Sequence, residues 1–563
     1  MEKSPVNGMF RKVFPVRPTS RWWVVVPACI GLLIGIPLIV VTFHLTFITS
    51  QEIQHLFRTV LGRYFLNTFG LVLVVGVFTG VIGISSAWIT TVFDFPGRRI
   101  LTWILVIPLS VPTYVAALAY AGIFDFTGPL QLLFREVLGF GIGEYPIVDI
   151  KSFFGLCFVL TVTMYPYVYL TSRAVFSSQS SIAMEISRSH GYSKKESFFL
   201  VVLPTARPAI LAGIILVIME TVGEFGASYY YGIDTLAVGI FRVWFGLGSV
   251  SSALSLASLL LLFVGLIMVT ERWFRKRAQF YHDLGFVKRP VTRTKLQNSS
   301  LVLSLAVCWI PVILGFVLPV GQLLWWLARS TIRAFNIDTF QHVMTSIGLS
   351  VVTSLIIIVI SVLVAYAARL SYGPVVKKTA FLATSGYSVP PAVLAVGIFA
   401  TYAWIDHRIV EVFKGLFGFS PGLILTGGLF VLLAGYVVRF FSVGYQTIDS
   451  GFSGINSRLD EVSRSCGLRP RESLIRVNLP ALKPAYVSAM ILLVVDIIKE
   501  LPLTMILQPF GVKTLATEVF RLAGNEMIPE SASLSLLIIL IAGFPGIILP
   551  TLDGRFGSQR NKL

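Results

Sequence analysis

Residues 185–204 read EISRSHGYSKKESFFLVVLP, and residues 461–480 read EVSRSCGLRPRESLIRVNLP. Each stretch begins with a glutamate, has a glycine six residues later, and ends in a Leu-Pro pair. The matching positions are Glu185/Glu461, Gly191/Gly467, Leu203/Leu479 and Pro204/Pro480, and all four pairs are 276 residues apart. A polar, basic segment that recurs in one register, each time ahead of a long apolar run, indicates an internal duplication.

The composition is that of an integral membrane protein. Of the 563 residues, 55% are hydrophobic and only 13% are charged, whereas soluble domains carry about 25% charged residues. The net charge of +18 could suggest nucleic acid, but most basic residues lie between apolar runs, where orientation in a bilayer requires them. We therefore expect the lipid bilayer, and no nucleic acid, as a partner.

Runs of about 20 apolar residues, the length needed to cross a bilayer, predict an all-α protein with about twelve transmembrane helices. The predicted spans are 22–46, 66–92, 99–124, 152–172, 207–231, 251–270, 300–328, 344–368, 379–404, 421–443, 482–505 and 531–551. The first run is too long for a cleaved signal peptide. With the N-terminus inside, the cytoplasmic segments hold 32 of the 45 Lys and Arg residues, so both termini and both duplicated stretches are predicted to be cytoplasmic.

The two halves match outside the duplicated stretches as well. NTFGLVL (67–73) resembles TSIGLSV (345–351), and YGIDTLAVGIFR (231–242) resembles FGVKTLATEVFR (510–521). Six helices per half bring each half back to the side on which it starts, so the halves are predicted to be parallel repeats about an axis along the membrane normal. The predicted organisation is a first repeat at 1–270, a cytoplasmic linker at 271–299 and a second repeat at 300–563.

The duplicated stretches resemble the EAA loop of ABC-transporter permeases of the binding-protein-dependent import type. The glutamate, glycine and Leu-Pro are intact, whereas Ile186-Ser187 and Val462-Ser463 replace the alanines. The resemblance implies the type I importer permease fold, two copies of a cytoplasmic ABC ATPase subunit docked on the two stretches, and a periplasmic solute-binding protein. The chain has no G-x-x-x-x-G-K-[ST] motif. ATP is therefore expected to be used by the partner, and this chain is expected to be no enzyme and to bind no cofactor.

The stretches also have a physical interpretation that does not depend on the resemblance. A short helix before and after each glycine would form a helix–turn–helix, since glycine permits the positive φ of the turn. Pro204 and Pro480 are predicted to start a new direction into the next span. The alternative is a pair of interfacial amphipathic helices that dock no partner.

Four acidic residues in two predicted spans keep the same offset: Glu220 and Glu224 correspond to Asp496 and Glu500. Residues four apart share a helix face, and carboxylates facing lipid are costly, so these should face a protein interior or a watery cavity. Counting 1.5 Å per residue from the prolines places them about 24 to 30 Å along the helix, near the outer face. They are predicted to line a cation pathway without a fixed metal site, or else Glu500 pairs with Lys499 and the others brace helix ends.

The stretches 220–244 and 496–523 are similar to those of fused permeases for ferric iron. This resemblance implies a bacterial inner-membrane permease that translocates ferric iron delivered by a periplasmic binding protein. Fused thiamine permeases share the architecture, so thiamine or another small solute stays an alternative. A secondary transporter of twelve helices in two parallel halves is a further alternative, although such a carrier needs no long cytoplasmic stretches.

Overall fold

The computed structural model describes residues 22–44, 57–141, 144, 149–278, 293–329, 337–370, 374–420, 422–456 and 458–543. The longer helices of the first sequence half are α1 Trp22–His44, α2 Gly62–Val92, α3 Arg98–Ile104, α4 Thr113–Phe124, α5 Phe153–Ser189, α6 Leu203–Gly223 and α7 Val250–Ala278. Those of the second half are α8 Asn298–Val312, α9 Leu318–Arg329, α10 Ile337–Leu370, α11 Pro374–Thr384, α12 Pro391–Phe417, α13 Leu429–Ser453, α14 Arg458–Ser465, α15 Lys483–Ile498 and α16 Leu515–Gly524.

Shorter segments join these helices. The short α-helices are Pro129–Leu132, Lys194–Glu196, Gly226–Tyr230, Leu236–Arg242, Pro470–Ser473, Leu479–Ala481 and Pro502–Leu507. The π-helical turns are Phe57–Leu61, Leu133–Val137, Ser197–Val202, Val243–Leu247, Ile313–Val317 and Leu474–Asn478, and the 3₁₀ turns are Ile107–Ser110, Ser385–Ser388 and Pro529–Ser531. One two-residue parallel pair, β1 Phe93–Asp94 with β2 Thr294–Lys295, joins the start of the second half to the first.

The all-α membrane architecture is confirmed. Within the described ranges, ten helices are long and apolar enough to cross a membrane, and a bent pair at 470–498 makes an eleventh. The predicted span 531–551 appears as a shorter apolar helix, Pro529–Gly543, and its later residues lie outside the described part of the chain, as do both termini and linker residues 279–292.

Two spans predicted as continuous are interrupted. The predicted helix 99–124 is broken between α3 and α4, and 379–404 is broken between α11 and α12. Both breaks contain the repeated Val-Pro pair, Val111-Pro112 and Val389-Pro390, and each proline is the residue before the first turn of the next helix. A residue before proline is driven out of the helical region, and Val111 and Val389 are accordingly extended, with ψ of 111° and 135°.

The first helices of each half pack against the opposite half. Helix α1 lies against α11 and α12, while α8 and α9 lie against α2 and α4. Glycines permit the close approach: a Cβ on Gly397 would stand 2.5 Å from Val41, and one on Gly122 would stand 2.0 Å from the Trp326 ring. Because the first helices are exchanged in this way, the two largest apolar cores each contain buried residues of both halves.

Candidate functional site

A cavity of ≈ 180 Å³ lies between the two halves, where the helix breaks meet. Both Val-Pro pairs line it, together with the acidic ends of α6 and α15. All four of the predicted pathway carboxylates, Glu220, Glu224, Asp496 and Glu500, are in its wall. Carboxylates separated by 276 residues in sequence thus come together around one internal space, and their role in transport stays a prediction.

Glu224 and Glu500 hold the short helices that follow them. The Glu224 carboxylate accepts the hydroxyl of Thr113 and, at 2.9 Å, the backbone N–H of Ala227. The Glu500 carboxylate accepts the backbone N–H of Leu503 at 3.2 Å. Both acids therefore cap a helix start immediately after a break. Glu224 thus braces a helix end, as the alternative predicted, and Glu500, for which the alternative predicted a pair with Lys499, does the same.

The cations in the cavity wall both come from the second half. Arg439 of α13 donates through Nε to Glu500 Oε2 at 3.0 Å, and these side chains are only 8% and 7% exposed. Lys499 pairs with Asp496, with Nζ 3.1 Å from Oδ1. The predicted alternative that Glu500 pairs with Lys499 is wrong. The two residues follow the last residue of α15 directly, and Asp496 lies one turn before Lys499, within reach of its side chain.

Glu220 differs from the other three acids. Within the described ranges it makes no hydrogen bond and no ion pair, although it lines the cavity. Its counterpart Asp496 has Lys499, while the first-half position that matches Lys499 at the 276-residue offset is Gly223. The repeat is therefore symmetric in its carboxylates and asymmetric in its cations, which leaves one half-buried carboxylate unpaired.

The residues that line the cavity lie at different positions along their spans. Thr163 and Arg439, which both line it, are each ten residues after the start of the apolar spans 153–177 and 429–453. That is about 15 Å at 1.5 Å per residue, near the middle of a span. Glu220, by contrast, is three residues before the end of the span 197–223, and Glu224 directly follows that span. The expected position of these acids near the outer face stays a prediction.

Arg439 is the functional candidate that the sequence reasoning missed. The sequence could have indicated it, because a single arginine inside the apolar run 421–443 is costly in a membrane and is expected to pair with an acidic side chain. Its partner Glu500 is 61 residues away, which no local pattern specifies. Among the described residues, no group of three or more His, Cys, Asp or Glu side chains is arranged to hold a metal ion.

The duplicated stretches, termed here the coupling segments 185–204 and 461–480, contain matching turns. Gly191 and Gly467 both have a φ of 81°, and a Cβ at either would meet no neighbour. The positive φ predicted from sequence is thus present, and backbone conformation rather than space requires glycine there. After each turn a glutamate caps the next helix: Glu196 accepts the N–H of Ser193, and Glu472 accepts that of Arg469, both at 2.8 Å.

Two expectations about these segments need correction. The helix before Gly191 is no short element, because α5 runs unbroken from the membrane to Ser189 and includes Glu185; the side chain of Glu185 is outside the described set. Pro204 does not start a new direction, since it occupies the first turn of α6, where no N–H is needed. In the second copy the chain does bend, by 72°, but at Leu482, two residues after Pro480.

The coupling segments are anchored by different chemistry. In the second half, Arg369 of α10 binds Asp460 (Nε–Oδ2 2.6 Å), and Asn478 donates to the other carboxylate oxygen at 3.0 Å. In the first half the ring of Trp88 packs against Phe176 and Phe198. The second segment is thus fastened to α10 by a buried polar network at its start, and the first is fastened to the corresponding helix α2 by aromatic packing.

The comparisons with known proteins point to one family. Residues 79–278, which include the first coupling segment, Glu220 and Glu224, match the binding-protein-dependent transport system inner membrane components. Over 553 residues the chain is 22% identical to the Fe(3+)-transport system permease protein FbpB 2 of Haemophilus influenzae, covering 95% of this chain and 99% of that protein.

Other relatives share one part of the chain. The sulfate transport system permease proteins CysT of Salmonella typhimurium and CysW of Escherichia coli are 31% and 35% identical over 157 and 147 residues. These matches cover 28% and 26% of this chain and 54% and 48% of those proteins. The chain therefore spans about half the length of these two relatives.

Proposed function

We propose that this chain, an inner membrane component of a binding-protein-dependent transport system, is the permease of an importer for ferric iron. The observation that carries the proposal is the unpaired carboxylate of Glu220 in a central cavity whose wall holds four carboxylates and two basic side chains. Hard cations prefer oxygen ligands, and a wall with more acids than bases attracts a cation. The near full-length similarity to a relative named for Fe(3+) supports the same substrate.

The cavity charge also separates this substrate from sulfate, for which the partial relatives are named. An anion would need Arg439 and Lys499, but each is already within 3.1 Å of a carboxylate. Entry of a dianion would leave Asp496 and Glu500 without their partners, which is costly in a buried site. A cation instead can bind Glu220 first without breaking any pair.

The proposed cycle uses both ends of the molecule. A periplasmic binding protein delivers the cation to the outer loops 125–150, 232–250 and 506–530, of which residues 142–143 and 145–148 are outside the described set. Two copies of a cytoplasmic ATPase grip the two coupling segments, and closure of the ATPases moves the halves relative to one another. The breaks at Pro112 and Pro390 line the cavity, so movement of the halves would change access to it. Both termini are proposed to be cytoplasmic.

Uptake of labelled iron by cells that make Glu220→Gln tests the substrate assignment. This isosteric change removes the charge and breaks no hydrogen bond or ion pair of Glu220 within the described ranges, so membrane abundance should be unchanged. We expect iron uptake to fall at least tenfold. Glu411→Gln is the matched control, because Glu411 is exposed and, among the described residues, its one ion pair is with Arg408 on its own helix. Uptake in this variant should stay within twofold of the wild type.

Sulfate and thiamine uptake are measured in the same cells. Iron uptake that is unchanged in Glu220→Gln, while sulfate or thiamine uptake is lost, would reverse the substrate assignment. Alanine at Glu224 or Glu500 should also reduce iron uptake. Because both acids cap helices, uptake by these variants is compared with the wild type only after the amount of each protein in the membrane has been measured.

The partner assignment is tested with Glu461→Lys. Glu461 is exposed on α14 in the second coupling segment, so reversing its charge should disturb a docked ATPase without disturbing the core. The chain purified alone should hydrolyse no ATP. Appreciable hydrolysis by this chain, or undiminished uptake in Glu461→Lys combined with Gly467→Asp, would contradict the assignment.

A further inference from the structure

A second pocket, of ≈ 560 Å³, lies where α2 ends and α3 begins. Three arginines line it: Arg98 and Arg99 from the start of α3, and Arg293 from the end of the linker. Asp94 is its sole acidic lining residue among those described. The pocket is outside the cavity between the halves, and neither the coupling segments nor the transport pathway uses it.

The position of Arg293 is fixed by backbone pairing. Residue 293 directly precedes β2, whose Thr294 and Lys295 pair in parallel with Phe93 and Asp94 of β1. The N–H of Leu296 then donates to the carbonyl of Asp94 at 3.1 Å. The linker thus returns to the first half at one defined point and brings a third arginine beside the two of α3.

One of the three arginines already has partners. Arg98 Nε is 3.4 Å from Asp94 Oδ1, and its Nη1 donates to the carbonyl of Thr90 at 3.2 Å, with the side chain only 14% exposed. Arg99 and Arg293 have no carboxylate partner within the described ranges. Burial, together with the neighbouring positive charges of Arg98 and Arg99, lowers the pKa of Arg293, so the free pocket holds cations that repel one another.

The surroundings of the pocket indicate the source of a neutralising anion. Ile100, which also lines it, is 66% exposed, and Trp103 one turn along α3 is 53% exposed. Exposed apolar and tryptophan side chains beside arginines are typical of the membrane interface, where indole rings sit at headgroup level. The positive-inside rule assigns this face to the cytoplasmic leaflet, and basic pockets between transmembrane helices on that side bind anionic headgroups.

We propose that Arg99 and Arg293 bind a phosphate group of an anionic phospholipid in the cytoplasmic leaflet. The planar guanidinium donates two parallel N–H bonds to phosphate oxygens, and two such groups from separate segments clamp one headgroup. The acyl chains then run along the exposed side of Ile100 and Trp103. A lipid bound here ties the end of the linker, and with it the start of the second repeat, to the first repeat.

Thermal unfolding of the full-length chain in neutral detergent tests the site. The titrants are short-chain phosphatidylglycerol, short-chain phosphatidylcholine and inorganic phosphate. Phosphatidylglycerol should raise the melting temperature of the wild type, since a ligand of the native state stabilises it, and phosphatidylcholine should not. In Arg99→Gln/Arg293→Gln the apparent dissociation constant for phosphatidylglycerol should rise at least tenfold.

Lys378→Gln is the matched control. It removes one exposed basic residue from α11, on the same predicted face of the membrane, and Lys378 does not line the pocket. Its response to phosphatidylglycerol should equal that of the wild type. Arg293→Lys keeps the positive charge but lacks the planar guanidinium, so its affinity for phosphatidylglycerol should lie between those of the wild type and the double variant. This single variant also replaces the double variant in the test if the double variant folds poorly.

Three outcomes would overturn the proposal. An equal response of the double variant and the wild type would mean that the arginines do not form a site. An equal response to phosphatidylcholine would mean that the headgroup charge is not recognised. A shift by inorganic phosphate at the same concentration as by phosphatidylglycerol would assign the pocket to a soluble phosphate and not to a lipid.

Discussion

Replacing Arg439 by methionine tests whether the buried pair with Glu500 holds the central cavity together. The charges are 3.0 Å apart, which corresponds to an attraction of about 5 to 6 kcal/mol at an effective dielectric constant of about 20. Removing one partner of such a pair leaves an uncompensated buried charge. We therefore expect Arg439→Met to lower the free energy of unfolding by about 3 to 5 kcal/mol.

A double-mutant cycle separates the pair from its surroundings. Glu500→Gln keeps an oxygen that can accept the N–H of Leu503 and removes the charge, so the double variant Arg439→Met/Glu500→Gln should recover part of the loss, with a coupling energy of at least about 2 kcal/mol. The measurement is unfolding of the purified protein in detergent, followed by tryptophan fluorescence. Iron uptake in the same variants shows whether stability and transport change together.

The matched control for this cycle is Arg408→Met. Arg408 pairs with Glu411 at 2.8 Å, but these side chains are 62% and 65% exposed, so the loss should stay below about 1 kcal/mol. If Arg439→Met costs no more than this control, or if the effects of the two single changes simply add, the pair does not hold the cavity together.

Three further predictions concern the turn, the exchanged helices and the outer face. Gly467→Ala should lower the free energy of unfolding by about 1 to 2 kcal/mol, because an L-residue is strained at φ 81°. Gly348→Ala, at an open position inside α10, should leave the stability unchanged or raise it. Equal changes of the melting temperature in the two variants would contradict this. Gly122→Ala should lower the melting temperature through its contact with the ring of Trp326, and adding Trp326→Leu should restore part of the loss; no recovery would argue against this contact. A hydrogen bond from Arg521 lowers the pKa of Glu518, so the ionised carboxylate stabilises the fold above the ordinary pKa of 4.5 and this stabilisation is lost as pH falls below it. The melting temperature of Glu518→Gln should therefore depend less on pH than that of the wild type between about pH 5 and about pH 3. An acid dependence equal to that of the wild type would refute the stabilising role of this hydrogen bond.

Much of the site could be predicted from the sequence because the relevant signals are local or periodic. The glycine residue type at positions 191 and 467 predicts a positive φ. The spacing of the four acids, together with the cost of a charge in a membrane, predicts that they face the protein interior. The 276-residue repeat then predicts that the two sets lie opposite each other. Each of these inferences needs only near neighbours and one symmetry relation.

Pairing within the cavity was decided by the tertiary structure. Lys499 pairs with Asp496 and not with Glu500 because Asp496 lies one helical turn before it. Arg439 reaches Glu500 because α13 and α15 pack side by side, and neither segment by itself predicts that packing. The same holds for Gly122 beneath Trp326, where a helix of one repeat crosses to the other.

The chain by itself determined that it crosses a membrane, that it is doubled, and where its turns and buried acids lie, since hydropathy, repetition and backbone sterics act over a few residues. Only the tertiary structure decided which charged side chains form ion pairs and which carboxylate has no partner, because ion pairing depends on distances of a few ångströms between helices far apart in sequence. The unpaired Glu220 is the result of that second kind of decision, and the proposed cation pathway depends on it.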